Sequence, residues 1–108
     1  MIYVCVVTTN PQNMENIKSL LPVIQQHDAQ LWVFAHGEKA QALRPLADLA
    51  TRYLSKSRRY GCAEARGQLT KEILGLQAWD NDILIYLDDD VIVRDGDSNW
   101  ISKLGFLS

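Results

Sequence analysis

An apolar run that ends in three consecutive acids constrains this chain more than any other feature. Residues 83–87 read Ile-Leu-Ile-Tyr-Leu, and Asp88, Asp89 and Asp90 follow them directly. Five consecutive apolar residues bounded by acids are typical of a strand that is buried on both faces. Because ligands of open α/β sheets bind at the carboxyl ends of strands, we expect these carboxylates to lie at a binding edge.

The spacing of the three acids favours a cation or phosphate site. Side chains alternate along a strand, so Asp88 and Asp90 should share one side while Asp89 points to the other. Two carboxylates roughly 6.6 Å apart can share a hard divalent cation. The alternative is that the acids simply end the strand in solvent. Their mutual repulsion, roughly 0.6 kcal/mol in water and 2.5 kcal/mol at an effective dielectric constant of 20, argues against that alternative.

The remaining sequence alternates strand and helix patterns. Apolar, β-prone runs predict strands at residues 2–7, 30–35, 51–54 and 83–87, with a turn at 36–38. Helices are predicted from a cap at Thr9 or Asn10 to near His27, over residues 39–50, and over residues 62–79. This order predicts a three-layer αβα domain with a mainly parallel four-stranded sheet and right-handed crossovers. The ends of the first and fourth strands then become neighbours, which brings Thr8, Thr9 and Asn10 close to residues 88–90.

Several residues should perturb these helices. Pro22 and Pro45 predict a kink, an early end or an interruption of the first and second helices. Gly67 costs about 1 kcal/mol relative to Ala inside a helix. It therefore predicts either a close approach by another group or a helix that begins later. Beyond the acids, the pattern predicts an extended segment at 91–93, a turn at Asp95 and a short helix over 100–107.

Composition limits the class of protein. The 108 residues are 47% hydrophobic and 22% charged, which predicts one globular domain over residues 1–108. The net charge of −2 gives no support for nucleic-acid binding. Cys5 and Cys62 lack zinc-ligand spacing. No run has the character of a signal peptide or the length of a membrane span, so we expect a cytoplasmic protein without an integral membrane segment.

Three segments together resemble the type A glycosyltransferases (GT-A fold), most closely family 2. Residues 6–10, Val-Val-Thr-Thr-Asn, are similar to that family's first strand and nucleotide-contacting turn. Residues 61–66, Gly-Cys-Ala-Glu-Ala-Arg, are similar to its Gly-x-x-x-Ala-Arg-Asn segment at the start of a helix. Residues 86–91, Tyr-Leu-Asp-Asp-Asp-Val, are similar to its DXD motif. The order and spacing agree over residues 2–93, which correspond to the nucleotide-binding half of the family.

The resemblance implies a nucleoside diphosphate sugar as ligand and Mn²⁺ or Mg²⁺ as cofactor. Asp88 would contact the ribose or reach the metal through water, and Asp90 would bind the metal. Arg66 would support the diphosphate or the acidic loop. The residues implied to bind the nucleotide sugar are Thr8, Thr9, Asn10, Arg66, Asp88 and Asp89, and those implied to hold the metal are Asp88 and Asp90.

The sequence also departs from the family. Residues 35–37 read Ala-His-Gly, where members often carry an acid and a Gly-Ser turn, which leaves recognition of the base open. Gly67 replaces the usual Asn after the Arg. Little sequence follows the DXD motif, where the family has acceptor-binding elements, so no catalytic base can be named. Lys56, Arg58 and Arg59 could attract phosphate, but a short basic segment is expected to form a solvated loop. His27 and His36 are not expected to be catalytic.

Three functions remain open on the sequence. The first is a glycosyltransferase-like domain that binds, and in an active form transfers, the sugar. The second is a non-catalytic binding or interaction protein on a shortened transferase fold, which could cover its exposed sheet edge by self-association. The partners expected besides the nucleoside diphosphate sugar are a second copy of the chain, as a homo-oligomer, or a missing C-terminal half. The third is a metal-dependent phosphoryl-transfer domain of Toprim type. Such domains need a Glu after the first strand, and residues 8–10 contain none.

Overall fold

The computed structural model describes residues 1–75 and 82–89, which form an α/β unit on one parallel sheet. The strands are β1 (Ile2–Thr8), β2 (Gln30–His36), β3 (Arg52–Lys56) and β4 (Ile83–Asp88). They lie in the order β3-β2-β1-β4, and each neighbouring pair is parallel. The parallel sheet predicted from the sequence is therefore confirmed for the described strands.

The first connection contains three short helices. Asn10 caps a 3₁₀ helix (Pro11–Asn13), because its side-chain oxygen accepts a hydrogen bond from the Gln12 N–H at 3.0 Å. Two α-helices follow, α1 (Met14–Lys18) and α2 (Leu21–Gln26). The expected interruption at Pro22 is confirmed. The chain breaks between the two helices and restarts with proline in the first turn, where its missing N–H is not needed.

The second connection is a 3₁₀ helix, Ala40–Asp48, rather than an α-helix. It also continues through Pro45, where an interruption was predicted. Ala40, Leu43 and Leu46 are its buried residues, and their spacing of three matches the repeat of a 3₁₀ helix. The helix type therefore follows the spacing of the buried residues.

The third connection is a 14-residue helix, α3 (Cys62–Gly75), on the opposite face of the sheet. Gly67 lies inside α3, and a Cβ atom there would meet nothing within 4 Å. The prediction that Gly67 marks a close approach or a later start of the helix is therefore wrong, because the residue lies on the exposed side of α3. No described helix is both long and apolar enough to cross a bilayer.

Two apolar layers cover the sheet, which confirms the three-layer arrangement. On one face, Val4 and Val6 of β1 pack with residues of β2, α1, α2 and the Ala40–Asp48 helix. On the other face, Tyr3 and Cys5 of β1 pack with Trp32 and Phe34 of β2 and with α3. The α3 residues in this layer are Ala65, Leu69 and Ile73. Alternation along β1 thus assigns the two faces to different helices.

Some predicted boundaries and burial states are wrong. His36 belongs to β2 rather than to the following turn, and β3 ends at Lys56 rather than at residue 54. In β4 Ile85 is buried while its neighbours are half-buried or exposed, so this strand is not buried on both faces. The physical reason is that β4 lies at one end of the described strand order and pairs only with β1. The predictions for residues 76–79 and for residues 90–108, including Asp90, lie outside the described residues.

Candidate functional site

A cleft of about 230 Å³ lies at the carboxyl ends of β1 and β4. From β1 the chain moves outward through β2 to β3, and the connection through α3 then returns it to the other side of β1. The order of the strands therefore reverses between β1 and β4. Such a reversal leaves a crevice beyond the strand ends, which is where open α/β sheets bind ligands.

Thr8 and Asp89 meet in this cleft. The Thr8 hydroxyl donates a 2.8 Å hydrogen bond to Asp89 Oδ2. The register explains the contact, because Val7 pairs with Asp88 and the next residues of both strands therefore lie side by side. Thr8 is only 1% exposed, so this bond fixes one carboxylate oxygen of Asp89 at a rigid strand end. The predicted approach of residue 8 to the acidic segment is confirmed.

Arg66 and Asp88 form the second contact between predicted site residues. Arg66 Nη2 lies 3.3 Å from Asp88 Oδ1, and the guanidinium lies 5.8 Å from the centre of the Tyr86 ring. The Tyr86 hydroxyl in turn shares a hydrogen bond with the Thr70 hydroxyl on α3. The side chain of Asp88 is 73% exposed, so the pair contributes little to stability. Its effect is to orient Arg66 towards the acids while Asp88 stays accessible.

The two described acids point to different sides, as alternation predicts. Asp88 faces Arg66 on α3, whereas Asp89 faces Thr8. Their oxygen atoms are hard ligands, the kind that Mg²⁺ and Mn²⁺ prefer. Within residues 1–75 and 82–89 there is no group of three or more His, Cys, Asp or Glu side chains that could hold a metal ion. Asp90, the expected metal ligand, is outside these ranges.

Thr9 and Asn10 lie beside a second depression, of about 480 Å³. Thr9 lines both this depression and the cleft. Asn10 lines the second depression but not the cleft. Its side-chain oxygen already accepts the capping hydrogen bond from the Gln12 N–H. The contact of Thr9 and Asn10 with a nucleotide stays a prediction.

His36 is a cleft residue that the sequence reading assigned to a turn. Its ring is 3% exposed and lies 5.4 Å from the Phe34 ring and 5.7 Å from the Tyr60 ring. The Tyr60 N–H donates to His36 Nδ1 at 2.9 Å. Burial, followed by the positive charge of Arg59, lowers the pKa of His36 below 6.5, while Glu64 opposes the shift. The alternation Trp32, Phe34, His36 was the signal that would have placed it on the α3 face.

Arg59 is the other cleft residue that the sequence does not predict. It lines both the cleft and the second depression. Its neighbour Arg58 is paired with Glu64 at 3.6 Å and stacks on Tyr60 at 3.8 Å. No carboxylate of the described residues forms an ion pair with Arg59. Residues 56–59 are exposed, as expected for a solvated loop. The segment nevertheless contributes to the cleft through Arg59, which the sequence does not predict.

Comparison of the chain with protein-family models, with curated proteins and with solved structures gave no match, so the functional argument depends on the residues and their geometry.

Proposed function

We propose that this protein is a glycosyltransferase-like domain that binds a nucleoside diphosphate sugar through a divalent cation at the acids at the carboxyl end of β4. The observation that carries the proposal is the meeting of Thr8 with Asp89, and of Arg66 with Asp88, at the reversal point of the sheet. These residues come from the three segments that resemble the family.

The donor set suits the proposed cation. Asp88 keeps one oxygen without a described protein partner, because Arg66 contacts Oδ1, and the side chain is mostly exposed. Asp88, together with Asp90 two residues later, would hold Mn²⁺ or Mg²⁺. When bound, the cation would stabilise the negative charge of the diphosphate leaving group.

The chain's own residues would orient the ligand. Arg66 lies next to Asp88 and can turn its remaining N–H groups to a phosphate, for which a planar guanidinium is well suited. The buried Thr8 holds Asp89 by a hydrogen bond, which limits the orientations of the acidic segment before the ligand arrives. Little binding energy is then spent on ordering this part of the site.

Thermal unfolding with a panel of nucleoside diphosphate sugars and Mn²⁺ tests the proposal. A ligand present at about 100 times its dissociation constant adds about 2.7 kcal/mol to the free energy of unfolding. For a domain of this size we expect the melting temperature to rise by about 10 °C with at least one nucleotide sugar. Removing Mn²⁺ with EDTA should abolish most of this rise.

Matched acid-to-amide variants locate the effect. We expect Asp88→Asn and Asp90→Asn to lose most of the shift, while Asp48→Asn, an exposed acid at the end of the Ala40–Asp48 helix, keeps it. The proposal is wrong if no nucleotide sugar at millimolar concentration shifts the wild type, or if Asp88→Asn and Asp90→Asn both respond like the wild type. Release of free nucleoside diphosphate in the same samples would separate a transferring enzyme from a non-catalytic binding protein.

A further inference from the structure

The wall of the cleft opposite the acids has a different chemical character. Asp88 and Asp89 lie at the end of β4 on one side of β1, and His36 lies at the end of β2 on the other side. Arg59 and Tyr60, which follow β3 beyond β2, also line the cleft. The resemblance assigns no role to these three residues. They come from the end of β2 and from the segment between β3 and α3, which meet through the Tyr60 N–H bond to His36.

The hydrogen bond from Tyr60 fixes the protonation state of His36. A backbone N–H can only donate, so His36 Nδ1 must be the acceptor and carries no proton. Neutral imidazole then has its single proton on Nε2. The lowered pKa of His36, caused first by burial and then by Arg59, favours the same neutral form. His36 is thus a donor with one defined N–H.

That N–H is available to a ligand. Among residues 1–75 and 82–89 no group accepts a hydrogen bond from Nε2. Within these ranges, the Tyr53 hydroxyl is the one side-chain polar atom that is both fully enclosed and without a partner. His36 Nε2 has no partner either, so it cannot be fully enclosed and must be accessible from outside the protein. His36 is 3% exposed and lines the cleft, so we infer that this donor faces the cleft.

Arg59 adds charge to this donor. It is near enough to contribute to the lowered pKa of His36, it lines the same cleft, and it has no carboxylate partner within the described ranges. The neighbouring cations are different in this respect, because Arg58 is paired with Glu64 and Arg66 with Asp88. A buried neutral donor next to an unpaired guanidinium is suited to a phosphate oxyanion and not to a metal ion.

We propose that His36 and Arg59 bind a phosphate group of the ligand directly, as an anion subsite that needs no metal ion. The identification of that phosphate as part of a nucleoside diphosphate sugar depends on the proposed function, but the subsite itself does not. The cleft would then hold its ligand from two sides, with a cation at the acids and direct donors on the opposite wall.

Calorimetric titration with inorganic pyrophosphate in EDTA tests the subsite apart from the metal and the nucleotide. We expect the wild type to bind pyrophosphate, and Arg59→Gln and His36→Asn each to weaken that binding about ten-fold or more, as for hydrogen bonds to charged groups. His36→Asn keeps an oxygen near the Nδ1 position for Tyr60 but lacks the Nε2 donor. Arg44→Gln removes an exposed cation of the Ala40–Asp48 helix and should bind pyrophosphate like the wild type.

Each outcome decides the inference. A wild type that does not bind millimolar pyrophosphate overturns it, and so does a His36→Asn variant that binds as tightly as the wild type. Equal weakening by Arg44→Gln would indicate a general effect of net charge and would also overturn it. Pyrophosphate binding that depends on His36 and Arg59, combined with no response to any nucleotide sugar and Mn²⁺, would keep the subsite and reject the proposed function.

Discussion

At the scale of single residues, His36 shows how position changes the chemistry of a side chain. As an isolated histidine in the sequence it has no acid or cysteine at ligand spacing. In the fold it is buried between Phe34 and Tyr60, with one nitrogen committed to the backbone. Charging the ring would place a second proton against the Tyr60 N–H and a positive charge near Arg59. Both costs keep the ring neutral in the folded protein.

The stability of the protein should therefore depend on pH through His36. Its pKa is lowered in the folded state from the ordinary value of 6.5, so the unfolded chain takes up the proton first as the pH falls. The contribution of neutral His36 to the free energy of unfolding is complete above pH 6.5 and is lost as the pH falls through 6.5 towards the pKa of the folded state. We expect the free energy of unfolding to decrease by up to about 1.4 kcal/mol per pH unit in that window.

Urea unfolding across about pH 7.5 to 5.5 measures this dependence. His36→Asn serves as the comparison, because it cannot titrate yet can accept the hydrogen bond from Tyr60. Its free energy of unfolding should change less steeply with pH than that of the wild type. Parallel curves for the two proteins would show that His36 does not titrate differently in the folded and unfolded states.

At the scale of elements, Gly37 and Gly67 have opposite roles. Gly37 follows β2 with a φ of +93°, a backbone conformation that residues with a side chain rarely adopt, and its N–H donates to Lys56 O at 3.1 Å and Arg58 O at 3.2 Å. This turn holds the start of segment 57–61 against the end of β2. Gly67 lies in the middle of α3 with open space around it and without a positive φ.

Alanine substitutions should separate these roles. Gly67→Ala should raise the free energy of unfolding by about 1 kcal/mol, because alanine favours the helix and restricts the unfolded chain. Gly37→Ala should lower it by about 1–2 kcal/mol through strain at positive φ. Chemical denaturation of both variants gives these values, and a destabilised Gly67→Ala would mean that something contacts this side of α3.

At the scale of the whole molecule, the sheet divides the protein into two apolar layers that share β1. Cys5 lies in the middle of this strand, which pairs with β2 on one side and with β4 on the other. Burial raises the pKa of its thiol to about 12, so it carries almost no thiolate at neutral pH. Cys62 is free and exposed at the start of α3.

Thiol labelling should follow unfolding of the whole sheet. We expect iodoacetamide to modify Cys62 rapidly in the native protein, whereas Cys5 reacts only after β1 separates from both neighbours. Mass spectrometry of peptides should then give a Cys5 labelling rate that rises with urea in step with global unfolding. Rapid modification of Cys5 in native buffer would show that β1 is not the protected centre of the sheet.

The sequence by itself determined the elements that depend on short-range patterns. Apolar runs set the four strands, Pro22 set the break in the first connection, and the alternation of strands and helices predicted that Thr8 lies near the acids. The spacing of Ala40, Leu43 and Leu46 also matches the 3₁₀ repeat of the helix that the structure shows there. These features depend on interactions between residues that are close in the sequence or on the order of strands and helices along the chain.

Only the tertiary structure decided which residues form the wall of the cleft opposite the acids. The contact between His36 and Tyr60 joins residues 24 positions apart and depends on the register of β2 against β3, which no local pattern specifies. The same holds for the exposed side of Gly67 and for the place of Arg59 between two depressions. Burial and neighbouring charge arise from packing, so the properties of His36 and Arg59 became visible only once the chain was folded.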